Sequence, residues 1–204
     1  MGTLSRPPTT RSIVIVPYRE SWATEFNTLS DRLRIALGPR ALRIEHVGST
    51  SVAGLAAKDI IDVQVSVPAL DDQVSYSLTS IGFRLHPAIF SDHVPPGASD
   101  SVEEWRKMLL VEAQGDRRAN VHVRVAGRLN ERYSLLFRDY LRANERVAAA
   151  YAELKRRLSA SLAVPDDYAD VKDPAVDLVY LAAEQWAAVS GWTLAPLPAV
   201  SCEA

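Results

Sequence analysis

Ile61, Val63, Val65 and Val67 fall on one side of an extended chain, while Ile60, Asp62, Gln64 and Ser66 fall on the other, because side chains alternate across a strand. This period of two predicts a strand over 59–67 in which Asp62 and Gln64 share a face. A different period comes earlier. Trp22, Phe26, Leu29, Leu33 and Leu37 recur every three or four residues up to Gly38-Pro39, which predicts an amphipathic helix with a clear stop. Short strands are expected at 12–17 and 42–47, the second leading into the small-residue turn Gly48-Ser49-Thr50-Ser51.

Asp71 is placed to cap a helix running through Val74, Leu78 and Ile81 to Gly82. A short strand at 83–85 follows, and the stretch 91–101, with two prolines, reads as a surface loop. Strands at 105–112 and 119–125 make a hairpin across Gly115-Asp116. From Asn130 the pattern turns helical: Tyr133, Phe137, Tyr140 and Leu141, then Val147, Tyr151, Leu154 and Leu158. A last helix is expected to start at an Asp173 cap with Pro174 at its first position. A strand-rich first half followed by helices is an α+β layout, without the alternation of a doubly wound parallel sheet. Residues 12–127 form its core, 128–190 are the helical part of the same unit, and 1–11 and 193–204 read as flexible tails.

Composition narrows the function classes. With 204 residues, 48% of them hydrophobic, global disorder is excluded. The net charge of -2, from 23 basic and 25 acidic residues, supplies no general field for a polyanion, so nucleic acid is not the expected partner. The single cysteine, Cys202, excludes an internal disulfide framework and a cysteine zinc cage. No stretch approaches the roughly 18 apolar residues of a membrane span, and the first ten residues lack a signal peptide's apolar core. A cytoplasmic protein with no membrane partner is expected. Walker, GxGxxG, GxSxG and HExxH signatures are absent, and the histidines at 46, 86, 93 and 122 are too dispersed for a helical metal motif.

The informative segment is 45–65. It reads as a strand, then a hydroxyl-rich turn, then a strand with an acid on its polar face. Gly48, Ser49, Thr50 and Ser51 offer backbone N–H groups, hydroxyls and close backbone approach, all suited to phosphate oxygens. Asp62 beside them suits an Mg²⁺ that bridges nucleotide phosphates. The competing reading is a tight turn with local hydroxyl bonds and an ordinary strand-end acid.

The run HVGSTSVAGLAAKDIIDV resembles the signature of the GrpB family. The stretches Phe137 to Ala143 and Tyr151 to Lys155 resemble that family's helical half, and the likeness extends from about Ile13 to Trp186. The resemblance implies a nucleotidyltransferase-like mixed β-sheet with flanking helices. It places the chain among proteins described as predicted nucleotidyltransferases, sometimes fused to dephospho-CoA kinase. It assigns Gly48 and Ser49 to the opening pair of the site and Asp62 to the first acid. Two departures stand out. Gln64 occupies the second-acid position of the wider superfamily, and Arg124 stands where the family often has the second histidine of a His-x-His. Ala53 and Asp59 replace family prolines, which implies a looser turn.

For further ligands the hairpin offers His122 and Glu112. His122 has three readings: a metal ligand with Asp62, a partner of a carboxylate, or a packed side chain. Arg124 suits a phosphate or a carboxylate, because its guanidinium stays charged and binds bidentately. Lys58, Arg138, Lys155 and Lys172 are either phosphate contacts or solvated charges, with Lys58 the leading candidate and Arg138–Asp139 a possible internal ion pair. The leading expectation is a Mg²⁺-dependent nucleotidyltransferase or ligase-like enzyme that uses ATP or another NTP on a small-molecule acceptor. Asp62 serves as catalytic and metal residue with Glu112 and His122 as further ligands, and Gly48 to Ser51, Lys58, Gln64 and Arg124 hold the nucleotide. The alternative is a non-catalytic nucleotide- or phosphate-binding module.

Overall fold

The computed structural model describes residues 13–112, 117–162 and 168–197. Helix α1, Ser21–Leu37, buries the predicted stripe Trp22, Leu29, Leu33 and Leu37. It stops at Gly38, whose φ of 55° is a backbone state open to glycine without a Cβ penalty. Five strands follow among the described residues: β1 (Arg43–Val47), β2 (Ile61–Val67), β3 (Phe83–Leu85), β4 (Lys107–Glu112) and β5 (Ala119–Val125). They form one sheet in the order β1-β2-β5-β4-β3. Strands β2 and β5 are parallel and the other neighbours are antiparallel, so the fold is α+β, a mixed sheet with flanking helices.

The period-two pattern of β2 divides the molecule. Ile61, Val63, Val65 and Val67 pack with Val121 and Val123 against α1 and against α2, Asp72–Ser80. Each fully buried side chain of this kind contributes about 1.5–3 kcal/mol by leaving water. Helix α2 is capped as predicted, with Asp71 Oδ1 accepting from Val74 N at 2.8 Å. The opposite face is polar. Register pairs Asp62 with Asn120, Gln64 with His122, His122 with Leu109, and Arg124 with Lys107, and paired residues share a face.

Three helices lie on that polar side: α4 (Leu129–Ala143), α5 (Glu145–Ser161) and α6 (Tyr168–Ser190). Their own core joins Leu136, Tyr140, Leu141, Tyr151, Ala152, Tyr180 and Ala183 to Val52 and Leu55 of the segment after the turn. The helical half is therefore seated on the turn, and polar sheet residues are enclosed between two apolar cores.

Several local expectations need correction. The predicted strand at 12–17 is a single bridge, Val16 to Ala57, because only one residue pair meets; Ser12 lies outside the described residues. Trp105 closes the short helix α3, Val102–Trp105, and the strand begins at Lys107. Pro174 sits inside α6 and Asp173 is not its cap. The ring removes one backbone donor, but Pro174 is exposed, so water can satisfy the carbonyl left without it. The turn Gly115-Asp116, the tail 1–11 and residues 198–204 lie outside the described residues.

Candidate functional site

Gly48 fixes the geometry of the site. Its φ is 68°, and a Cβ there would stand 2.9 Å from Asp62 Cβ and closer still to Asp62 Oδ2. The turn and the β2 carboxylate therefore fit only because this position has no side chain. After Gly48 the chain makes a single 3₁₀ turn, Ser49–Ser51. Ser51 N bonds back to Gly48 O at 3.3 Å and Ser51 Oγ donates to the same oxygen at 2.6 Å. Asp59, expected to loosen the approach to β2, does the reverse. It accepts from Trp22 Nε1 at 2.9 Å, Arg19 at 2.7 Å and Arg117 at 2.6 Å.

Gly48, Ser49, Thr50 and Asp62 open into a cavity of about 500 Å³ between the sheet and α4–α6. Lys58, Lys155, Lys172 and His122 are also on its walls, with Tyr133, Phe137, Tyr151 and Tyr168. Asp62 accepts from Asn120 Nδ2 at 2.8 Å, and His122 Nε2 lies 3.7 Å away. Burial opposes its charge, but nearby His122, the bond from Asn120 and the charge of Lys172 outweigh burial and hold the carboxyl below its ordinary value. Burial lowers His122 in turn, with Asp62 opposing and Lys107 and Arg124 assisting. Lys107 Nζ stands 3.4 Å from His122 Nδ1, an arrangement that leaves Nε2 as the protonated nitrogen facing Asp62. Of its three readings, the geometry matches the carboxylate partner.

Lys58 Nζ lies 4.0 Å from the centre of the Tyr168 ring. Lys155 is 3% exposed, with Nζ 2.8 Å from Ser49 Oγ and 2.6 Å from Ala56 O. Burial, then Lys172 and Arg156, against Asp62, bring Lys155 down to about 7. Burial and Lys172 also lower Lys58. The cavity lining thus gathers Lys58, Lys107, Lys155, Lys172 and Arg124 against Asp62, Asp92 and Asp173.

Three predicted site residues, Glu112, Gln64 and Ser51, are placed outside this cavity. Glu112 lies on the opposite face of the sheet, opposite Phe83 in register and bonded to Arg32 at 3.2 Å. The alternation that puts Asp62 and His122 on one face puts Glu112 on the other. Gln64 is fully buried; it accepts from Arg124 and Ser134 and donates to Glu131 O at 3.2 Å, so it braces the cavity from outside. Ser51 faces a second cavity, of about 580 Å³, on the far side of the turn. Thr50 Oγ1 is engaged by His46 Nε2 at 3.0 Å. Arg124 does reach the cavity, but its guanidinium grips Asp92 at 2.8 and 2.9 Å, the carboxylate option of its two readings. Arg138 bonds Asp139 and Glu45, each at 2.7 Å, and ties α4 to β1.

Asp92 is the residue the sequence pattern missed. It sits in the stretch read as a surface loop, yet its side chain is only 10% exposed. It receives Lys107 at 2.6 Å, the Nε–Nη2 edge of Arg124, and Asn130 at 3.1 Å. A non-periodic loop carries no signal for such burial. Among the described residues, no group of three or more His, Cys, Asp or Glu is placed to hold a metal ion. No described helix is long and apolar enough to cross a membrane.

Comparison with known proteins agrees with this architecture. A family model described as GrpB protein matches residues 12–181. A protein named dephospho-CoA kinase from Mycolicibacterium paratuberculosis is 35% identical over 195 residues, which cover 87% of this chain and 47% of that one. UPF0157 protein BH1888 of Halalkalibacterium halodurans is 34% identical over 157 residues, 74% of this chain and 72% of the relative. The crystal structure of conserved protein GrpB from Enterococcus faecalis superposes with a TM-score of 0.69 at 28% identity, over 85% of this chain and 99% of that one. The chain spans about half the length of the kinase-named relatives it matches. It belongs to the GrpB family.

Proposed function

We propose that the cavity binds a nucleotide through its phosphates and that the chain transfers the nucleotidyl group to a small-molecule acceptor. The observation that carries this reading is the joint construction of the turn and the acid. Gly48 is bare against Asp62, so an oxyanion-binding turn and a carboxylate face one cavity walled by Lys58, Lys155 and Lys172. Four lysines and Arg124 against three aspartates on its walls favour an anionic ligand. The weak overall charge favours a small acceptor over a nucleic acid.

Among the described residues no group of three or more His, Cys, Asp or Glu is placed to hold a metal, so an Mg²⁺ would have to be brought in by the nucleotide, with Asp62 as the protein's ligand to it. Asp62 would hold that ion, which when bound neutralises charge on the departing pyrophosphate. Lys58 and Lys172 meet phosphate oxygens, with Gly48 on the same wall. His122 and Asn120 keep Asp62 ionised and fix its rotamer.

The test is calorimetry with ATP and with Mg·ATP, followed by pyrophosphate release over a panel of hydroxyl, phosphate and carboxylate acceptors. Asp62→Asn is expected to weaken Mg·ATP binding at least about tenfold, while binding of ATP without metal changes less. Equal Mg·ATP binding by Asp62→Asn would overturn the reading. A second reading, a nucleotide- or phosphate-binding module without turnover, is favoured by Gln64, which stands at the second-acid position and is spent on structural bonds. Tight metal-independent binding with no pyrophosphate release would select it.

A further inference from the structure

Lys155 is a buried cation with no carboxylate in ion-pair reach among the described residues, where Arg124, Arg132 and Arg138 each have one. Its nitrogen touches two neutral oxygens, Ser49 Oγ at 2.8 Å and Ala56 O at 2.6 Å, and stands 4.9 Å from the centre of the Tyr151 ring. A structural lysine gains little from this position, since burying an unpaired charge is unfavourable. A neutral amine gains more: one N–H stays on Ala56 O, and the lone pair accepts the Ser49 hydroxyl proton. Its surroundings favour that state, because burial and the cations Lys172 and Arg156 outweigh Asp62. A nucleophile within hydrogen-bond reach of a base, with that base oriented by a third group, is the arrangement that activates a serine. Ser49 is half-buried and Lys155 buried, and both line the cavity.

We propose that Ser49 is a nucleophile and Lys155 its general base, so that the nucleotidyl group is taken first onto Ser49. This inference rests on the nucleotide-binding reading above. The Ser49 proton passes to Lys155 Nζ as Oγ attacks the α-phosphorus. The Oγ–P bond forms, the bond from that phosphorus to the bridging oxygen breaks, and pyrophosphate leaves with the electron pair. In the second half, an acceptor oxygen attacks the same phosphorus. The O–P bond to Ser49 breaks, the acceptor's proton goes to bulk water, and Ser49 regains a proton from Lys155. The Gly48 turn, with Lys58 and Lys172, holds phosphate oxygens on the same wall.

The full chain is incubated with Mg·ATP, then with each other Mg·NTP, labelled at the α- or the γ-phosphate, quenched and mapped by mass spectrometry. The expected product is one nucleoside monophosphate on Ser49 with release of one pyrophosphate, carrying α-label and no γ-label. Lys155→Met should slow its formation at least about a hundredfold, the usual worth of a general base. In the wild type, formation should rise with pH through about 7. Of the groups near Lys155, the Asp62 carboxyl is held below its ordinary value and the Tyr151 hydroxyl is pushed up by burial, so neither supplies a rise through that range. Ser49→Ala abolishes the adduct. If that variant does not fold, Ser49→Cys moves the adduct to sulfur, where mercuric ion cleaves it. Calorimetric binding of Mg·ATP by the wild type with no adduct from any NTP would overturn the Ser49 assignment and leave the nucleotide reading standing. Absence of both binding and adduct would overturn both. Label from the γ-phosphate, or an adduct on another residue, would overturn the assignment as well.

Discussion

Two buried basic side chains line the same cavity and are accommodated in opposite ways. Arg124 is 4% exposed and meets a carboxylate edge to edge, with Asp92 also holding Lys107 and Asn130. Burial opposes the charge of Asp92, but Arg124 and Lys107 outweigh it and hold its carboxyl far below the ordinary carboxylate range. Lys155 is 3% exposed and meets only neutral oxygens. The first arrangement places a carboxylate against each buried cation and braces the sheet against α4. The second leaves positive charge uncompensated until an anion enters or a proton leaves. A buried cation that lacks its counter-ion on the walls of a cavity points to the ligand as that counter-ion.

The comparison is broken most strongly at Asp92. Asp92→Ala strands Arg124 and Lys107 in a dry site, and chemical denaturation should show a loss of about 3–5 kcal/mol, the usual consequence of removing one partner of a buried pair. Gly48→Ala tests the joint construction of turn and acid. A Cβ at φ 68° meets Asp62, and the expected loss is about 1–3 kcal/mol of stability, together with weaker Mg·ATP binding. In the Asp62→Ala background the stability cost should shrink, because the carboxylate that collides is gone, and a double-mutant cycle measures that coupling.

Lys155→Met sharpens the contrast through pH. The folded-state pKa of Lys155 lies near 7, against 10.5 as its ordinary value, so between these limits the unfolded chain binds the extra proton and stability rises with pH. Below about 7 both states are protonated and the buried charge is fully penalised. Wild type should therefore gain stability relative to Lys155→Met as pH rises from about 7 towards 10.5, and lie lowest against it below 7. A flat difference across that range would show that Lys155 is not held in a cation-disfavouring site. The smallest effect is expected at His46, which stacks on Phe26 with ring centres 4.7 Å apart and is lowered to about 4, chiefly by burial. Between about 6.5 and 4 the unfolded chain takes up a proton that the folded one refuses, so stability falls as pH falls through that window. His46→Phe should remove this acid sensitivity, as followed by melting temperature against pH, while preserving the ring stack.

The strand β2 and the helix α1 were legible because their periods of two and about 3.6 are local properties of the chain. So was the cap at Asp71, which depends on residues three apart. The turn at Gly48 and the carboxylate at Asp62 were legible as a pair through their order and spacing, and the structure brings both to one cavity. Glu112 shows where spacing alone fails. It belongs to the correct hairpin, yet strand alternation and the β4–β5 register put its side chain on the α1 face. Gln64 fails differently: its face was read correctly, but whether that face opens to solvent depends on Arg124, Ser134 and Glu131 from other elements.

By itself the sequence determined which segments are extended or helical, which side chains share a strand face, and that a glycine-hydroxyl turn precedes an acid. Those properties follow from sterics and burial over a few neighbouring residues. Tertiary structure alone decided which charges would be neutralised. Asp92, from a loop without periodicity, travels to Arg124, while Lys155, on a helix about a hundred residues beyond the turn, arrives at Ser49 with no carboxylate. Electrostatic partnership is set by distance in space and by exclusion of water, and neither is written in the local order of residues.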